Sequence, residues 1–309
     1  MTPQIGAVRN LGVGLESTAG TAVTPTYWIP ITGGVVAPVT EYAEDESNFG
    51  RYEAPVGSER VSEDASFKGE AVVRDDWIGV ILANIIGEPS SSEAETGVYE
   101  HTYTYTNGQH TTLSMAMKDT IADEVSTYGM INSLELSVGA KEILKANMEI
   151  MGRQLGSDSN SVSYGTTAKR YTGVNATFGV AADISGLSSP TSLDLVSLSL
   201  KFDQGVLPLH AFNSVTANAI YNQTLRVEGE LEMVQANNTY RDYVTDGTPK
   251  AAQFFIQHPT LIGATEYSSL QFQFAELSFE EWEPGDSLRD IVTEKISFVA
   301  HYDPTEGAP

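Results

Sequence analysis

The residues with chemistry to offer are five histidines, a cluster of acids near the C-terminus and a two-glycine stretch near the N-terminus. His101, His110, His210, His258 and His301 include no H-x-x-x-H pair and no H-E-x-x-H stretch, so helical zinc ligation has no support. His101 and His110 could meet across a hairpin at Asn107-Gly108, but two ligands do not make a metal site, and partly exposed strand histidines are the simpler reading. Glu276, Glu280, Glu281, Glu283 and Asp286 could hold calcium or supply the two carboxylates of a glycoside hydrolase. They lack the alternating Asp/Asn and central Gly of an EF-hand loop, and Pro284-Gly285-Asp286 is a turn sequence, which favours a solvated acidic hairpin tip. Gly12-Val13-Gly14 lacks the third glycine and the preceding strand of a dinucleotide fingerprint, and neither a Gly-x-Ser-x-Gly elbow nor a Walker loop occurs. The chain has no cysteine, which removes disulfides, thiolate metal sites and cysteine nucleophiles. The chain reads as a non-enzyme without cofactor or metal.

One strand carries a more informative pattern. Leu225, Val227, Gly229, Leu231 and Met233 form one face, opposed by Arg226, Glu228, Glu230 and Glu232. A row of like charges repels itself and is normally relieved by a neighbouring Lys. An ordinary wet sheet face and a surface kept negative for a purpose both fit. Asp plus Glu number 41 against 17 Lys plus Arg, a formal net charge of −24, and the bases are scattered singly. That excludes a tight grip on nucleic acid, which needs clustered bases to neutralise phosphates. With 41% hydrophobic and 19% charged residues, the composition also argues against disorder.

The elements that position these residues are mostly strands, because apolar residues recur with period two. Tyr99 to Thr106 alternates, and Asn107-Gly108 predicts a hairpin returning through Leu113, Met115 and Met117. Met130–Val138 and Leu144–Ile150 predict a second hairpin around Gly139-Ala140. Further strands are read at Val196–Phe202, Leu225–Met233, Leu270–Phe274 and Ile296–Tyr302. Two short helices are expected: Trp77–Ile86, capped by Asp75 or Asp76 and stopped by Gly87, and Thr239–Asp246, closed by Gly247. Residues 41–63, 88–97 and 152–168 read as loops, the last centred on 156–161 as the best domain boundary, with Asp158-Ser159-Asn160 a flexible linker. No signal peptide is read in Met1–Leu15, and Trp77–Gly87 falls short of the roughly 18 apolar residues of a membrane span.

The length of 309 residues suggests two domains, and the two halves show a parallel. Phe67–Val73 aligns with Val227–Met233 at an offset of 160, and each is followed by the helix of its half. This predicts a tandem duplication, with domains at 1–155 and 171–309 joined by a linker at 156–170.

The opening stretch then gains meaning. Gly12-Val13-Gly14-Leu15-Glu16-Ser17-Thr18-Ala19-Gly20-Thr21, followed by Tyr27-Trp28-Ile29-Pro30-Ile31, resembles the N-terminal segment of long-tailed bacteriophage tail tube proteins. Glu41–Ser47 is similar to that family's acidic segment leading into a long loop, and the Phe67–Val73 strand and Trp77–Ile86 helix follow in order. The second half matches the pattern more weakly. The resemblance implies a mainly β, tail-tube-type sandwich or barrel with a short flanking helix, and no catalytic residues. It implies a structural virion protein, the major tail tube subunit of a siphovirus, whose stacked rings form the conduit for DNA ejection. Such a subunit assembles in the host cytoplasm, touches no membrane, and meets tape measure, tail terminator and baseplate or initiator proteins. Two fused tube domains imply a homotrimeric ring with pseudo-sixfold symmetry, a homohexamer being the alternative. The long loop would contact the next ring through Tyr42, Glu44, Asp45, Glu46, Asn48, Phe49, Arg51, Tyr52 and Arg60. Glu228, Glu230 and Glu232, with Lys68 and Glu70 as counterparts, are expected to face a lumen through which double-stranded DNA passes without specific binding. A different reading, a β-sandwich carbohydrate-binding or adhesin module, would stack sugars on Tyr99, Tyr103 and Tyr105.

Overall fold

A computed structural model describes residues 8–47, 57–285 and 291–302. The first half runs β1 (Asn10–Leu15), β2 (Tyr27–Ile29), β3 (Ile31–Asp45), β4 (Gly57–Val72), α1 (Ile78–Ile85), β5 (Ser90–Glu95), β6 (Val98–Thr102), β7 (Leu113–Lys118), β8 (Asp123–Gly139), β9 (Lys145–Arg153) and β10 (Gly156–Ser157). The second half runs β11 (Ala176–Ala181), β12 (Thr191–Leu193), β13 (Leu195–Asp203), β14 (Leu207–Leu209), β15 (Ala219–Tyr221), β16 (Arg226–Val234), α2 (Thr239–Asp246), β17 (Lys250–Leu261), β18 (Tyr267–Pro284) and β19 (Thr293–His301). The fold is mainly β, as the alternation predicts.

The lateral strand order is β3-β4-β9-β8-β7-β1-β2 in the first half and β13-β16-β19-β18-β17-β11-β12 in the second. Set aside the hairpins β5–β6 and β14–β15 and the short β10, and number the remaining strands of each half along the chain. Both orders then read 3-4-7-6-5-1-2, with the helix between the fourth and fifth strands each time.

The sixth strand is long because it belongs to two sheets. In β8, the N-terminal part pairs with β7 and the part from Met130 onward pairs with β9. In β18, the stretch up to Leu277 pairs with β17 and the stretch from Glu276 pairs with β19. Each half therefore folds into two layers that share this strand. Leu11, Val13, Ile29, Leu113 and Met115 of one layer meet Phe67, Leu134, Leu136 and Ile150 of the other, with Ile78, Ile81 and Ile85 of α1 in the same buried cluster. Each fully buried large side chain contributes about 1.5–3 kcal/mol. In the second half Phe178, Phe254, Phe272, Phe274 and Phe298 fill the corresponding space as tilted and stacked pairs.

The halves join edge to edge. β13 pairs with β8 from Ser197 opposite Gly139 to Asp203 opposite Ser133. The inner layers thus merge into one eight-strand antiparallel sheet, β3-β4-β9-β8-β13-β16-β19-β18.

Four local expectations are corrected. The Asn107-Gly108 hairpin does not form: β6 turns back on β5, inside the expected 88–97 loop, and β7 lies between β8 and β1. Leu113 to Met117 are all buried and need core strands on both edges, whereas polar, exposed Ser90–Glu95 can pair only with an equally exposed strand. The flexible linker expected at Asp158-Ser159-Asn160 is instead tied down: β10 adds to β8 just before it, and buried Asn160 donates through its backbone N–H and its side chain to the Asp123 carboxylate at 2.8 and 2.9 Å. Helix α1 begins at Ile78 with Trp77 in the N-cap position and no side-chain cap, and the Asp75 carboxylate instead accepts from the Lys169 N–H at 2.8 Å. Finally, most of the 41–63 loop is strand. β3 and β4 continue as a two-stranded arm whose residues 38–47 and 57–61 are exposed on both faces, so it carries no apolar alternation to read. Helix α2 spans Thr239–Asp246 as expected and closes on left-handed Gly247.

Candidate functional site

The eight-strand sheet has one face in the core and one bare face. Directly paired residues share a face, so the bare face can be traced strand by strand. One row runs Lys68, Glu149, Ser133, Asp203, Arg226. The next runs Glu70, Asn147, Glu135, Lys201, Glu228, and a third Lys145, Ser137, Ser199, Glu230, Ser297. Glu232 lies between Ser197 and Lys295. All five residues expected on one wall, Lys68, Glu70, Glu228, Glu230 and Glu232, therefore lie on one face, although β4 and β16 are separated by three strands.

Every base traced on this face meets a carboxylate. Lys68 Nζ lies 2.7 Å from Glu149, Lys145 Nζ 3.2 Å from Glu70, Lys201 Nζ 3.4 Å from Asp203 and Lys295 Nζ 2.9 Å from Glu230. Arg226 pairs with Glu228. The Thr32 hydroxyl, 2.7 Å from Glu70, holds that carboxyl below the usual range against an opposing burial cost, with Lys145 adding to the lowering. The hydrogen bond to Glu230, helped by its charge and those of Glu232 and Glu283, raises the Lys295 ammonium above its ordinary value. Glu232 and Glu135 accept from Ser197 and Ser199 at 3.1 and 2.9 Å. The row of glutamates on β16 is thus relieved from both sides. In the first half Glu70, Glu135 and Glu149 face Lys68 and Lys145, one excess acid. In the second half Asp203, Glu228, Glu230, Glu232, Glu276, Glu281 and Glu283 face Lys201, Arg226 and Lys295, four excess acids.

On the arm, Tyr42 lies opposite Arg60, Glu44 opposite Ser58 and Asp45 opposite Gly57. Tyr42 is exposed, Arg60 pairs with Glu63, and Ser47 bonds to the Asp45 carboxyl and holds it below the usual range. Glu46 is exposed, and Asn48, Phe49, Arg51 and Tyr52 lie outside the described residues.

The sequence reading missed a neighbouring element. Residues 204–222 of the second half, which include β14 and β15, fold back over the first half at the base of the arm. His210 Nε2 lies 2.9 Å from the Asp64 carboxylate, the Glu63 N–H donates to the Val215 carbonyl at 2.7 Å, and Ala217 and Ile220 are buried against Met130. Phe212, at the outer end of this excursion, is 99% exposed beside Asn213 at φ 66°. An aromatic beside an Asn-Ser turn, in a run without alternation, was the available signal.

The segment that carries the resemblance has a structural task. Buried Glu16 accepts from the Gly20 N–H at 2.6 Å, the Thr112 hydroxyl at 2.6 Å, the Ser114 hydroxyl at 3.0 Å and the Tyr128 N–H at 3.0 Å. It ties the first turn of the chain to β7 and β8.

The other candidates disperse. His110 is buried between the carbonyls of Asn84 and Thr106, both at 3.0 Å, whereas His101 bonds to Ser91, so the two do not form a pair. Tyr99 is exposed on β6, Tyr103 is half-buried, and Tyr105 stands edge-on to His110, which leaves no flat aromatic platform for a sugar. Glu280, Glu281 and Glu283 are exposed on β18, Glu276 is half-buried, and Asp286 lies outside the described residues. Among the described residues no group of three or more His, Asp or Glu is placed to hold a metal ion, and no helix is long and apolar enough to cross a membrane.

No curated protein matches the chain. A family model described as phage tail tube protein matches residues 6–279, from β1 into β18 and so into both halves. The chain therefore belongs to the phage tail tube protein family, whose members are structural, non-enzymatic components of the virion tail that assemble into a tube.

Proposed function

We propose that this chain is the major tail tube subunit of a siphovirus, and that the bare face of its eight-strand sheet lines the bore through which the genome is ejected. The observation that carries this reading is the continuous polar sheet face, with helices and second layers packed on its other side and a free strand edge at each end. The repeated strand order supports a division into tube domains at 1–155 and 171–309, with 156–170 as the connection.

Ring size follows from the strand count. Three chains supply 3 × 8 = 24 strands. At ~4.8 Å lateral spacing and ~40° tilt they close at a backbone diameter of ~48 Å. Removing about 5 Å of side chain from each wall, half the ~10 Å spacing of packed sheets, leaves a bore of ~38 Å. Six chains would open the same wall to a bore of ~86 Å, so the trimer is the better fit to a conduit for one duplex.

Passage requires a wall that does not hold DNA. Duplex DNA carries one negative charge per roughly 1.7 Å and is bound by bases that release its counterions. Each base traced on this face is already engaged by a carboxylate, and the acids remain in excess. The arm of β3 and β4, with Phe212 near its base, would bridge stacked rings. Tape measure, terminator and baseplate or initiator proteins would meet the tube inside and at its ends. The assembled protein would reside in the virion after assembly in the host cytoplasm.

Electron microscopy of the purified chain with native mass spectrometry tests this reading. Rings or tubes of three chains with an open bore are expected, and a monomer without rings at high concentration would refute it.

A further inference from the structure

We propose that the ring closes by adding β3 of one copy to the C-terminal part of β18 of the next, in the register that β13 and β8 already adopt inside the chain. This deepens the ring reading above and rests on it.

Among the described residues two edges are open. There β3 pairs only with β4. β17 leaves β18 after Leu277, so from Ser278 to Pro284 that strand pairs, among the described residues, only with β19. At the same place in the first half, β8 from Ser133 to Gly139 carries β13 on the edge that β7 has left. Since both halves share one strand order, β3 corresponds to β13 and β18 to β8. The seam between copies then repeats the seam within a copy.

The register follows residue by residue from the common neighbours. Val36 faces Phe67 as Phe202 faces Val227, and Phe279 faces Phe298 as Leu134 faces Met148. The internal pair Phe202–Leu134 therefore becomes Val36–Phe279, which continues the core row across the seam. Lys201–Glu135 becomes Val35–Glu281, and Ser199–Ser137 becomes Gly33–Glu283, both on the bare face. Leu200–Leu136 becomes Gly34–Trp282.

That last pair is complementary in size. Inside the chain two leucines of equal volume meet. At the outer seam Gly34, at φ 144° and with the Gly69 backbone too close to admit a Cβ, has no side chain, and the residue opposite is the largest one. The Trp282 indole is held in place by its N–H, which donates to Glu294 at 2.6 Å. Pro38, which cannot donate to a ladder, lies at the position of Gln204, whose N–H makes the last bond of the internal seam, to the Asn132 carbonyl at 2.9 Å. The proposed ladder thus ends one bond short of the internal one, and the arm beyond is left free. Each copy offers one edge of each kind, so the contact is head-to-tail and propagates until the ring closes.

Because the native chain has no cysteine, engineered cysteines report this register without background. Val35 and Glu281 sit at opposite ends of the eight-strand sheet of one chain, so a disulfide between them must join two copies. Oxidised tubes of the Val35→Cys, Glu281→Cys double variant are expected to run as covalent dimers and trimers that collapse to monomer on reduction, since directly opposed strand residues lie within disulfide reach. Gly33→Cys with Glu283→Cys is a second in-register pair, and a Cβ at Gly33 meets nothing within 4 Å. Val39→Cys with Glu281→Cys, about four residues out of register, should stay monomeric. Tubes that form but cross-link in neither in-register pair would overturn the seam while leaving the ring reading intact. An unsubstituted chain that forms no ring, with variants that do not cross-link, would overturn both.

Discussion

Glu16 shows how much of the fold a single side chain can hold. Its carboxylate gathers four donors from three separate segments in a buried site, where an unmade hydrogen bond costs the full desolvation of the group left behind. Glu16→Ala should lower stability by about 3 kcal/mol, read as a reduced thermal midpoint, with Glu16→Gln recovering only part of the loss. Asp123 plays a similar part for the segment between the halves. Burial works to raise its pKa, but the Lys118 ammonium at 2.7 Å and the Asn160 donors outweigh it and hold the carboxyl below its ordinary value. The stability it contributes is therefore complete above the ordinary carboxylate pKa and is lost as pH falls through the depressed folded value. Acidification below about pH 4 should expose residues 156–165 to an acid-active protease, and Asp123→Asn should do so already at neutral pH.

Among the elements, β16 and the 204–222 excursion make separable predictions. Glu228→Lys, Glu230→Lys and Glu232→Lys together change that strand by six charges per chain without touching its core row. Tubes of this variant should still form, yet retain duplex DNA at low salt and release it as salt rises, whereas unsubstituted tubes retain none; a filter-binding titration reads the difference. Phe212 is fully exposed on an excursion whose base is pinned to Asp64, so its ring supports no fold of its own. Phe212→Ser should leave ring mass and thermal midpoint unchanged and shorten the stacks seen by microscopy.

Element legibility followed wetting. β8, β9, β13, β16 and β19 each have one dry and one wet face, and their alternation was readable at once. Helix α2 was legible to the residue because Gly247 stops it. The arm and the β5–β6 hairpin were not, because strands wet on both faces leave no period in the sequence. Nor was the 156–161 segment, whose serines and glycines look mobile until Asp123, far away in sequence, is placed beside Asn160. The five residues proposed for the wall could be nominated from two strands, but their ion partners Glu149, Lys145 and Lys295 emerged only with the sheet register.

For the whole molecule, the charge of −24 would become 3 × 24 = 72 negatives in the proposed trimer. Self-repulsion of that size would keep free subunits apart and would weaken as salt screens it. Spontaneous polymerisation of purified chain should therefore be slower at 20 mM than at 500 mM salt. Faster growth at low salt would show that charge is not what holds subunits apart.

The β8–β13 pairing has a mechanical consequence. In a trimeric ring with alternating seams, three of the six would be tethered within a chain and could reform at once after opening, at the high effective concentration set by a short connection. The other three would depend on non-covalent strand addition alone. A bent or stretched tube should then fail along threefold lines, shedding whole chains and never half-modules, and a ring that loses one chain should be refilled by a single arrival.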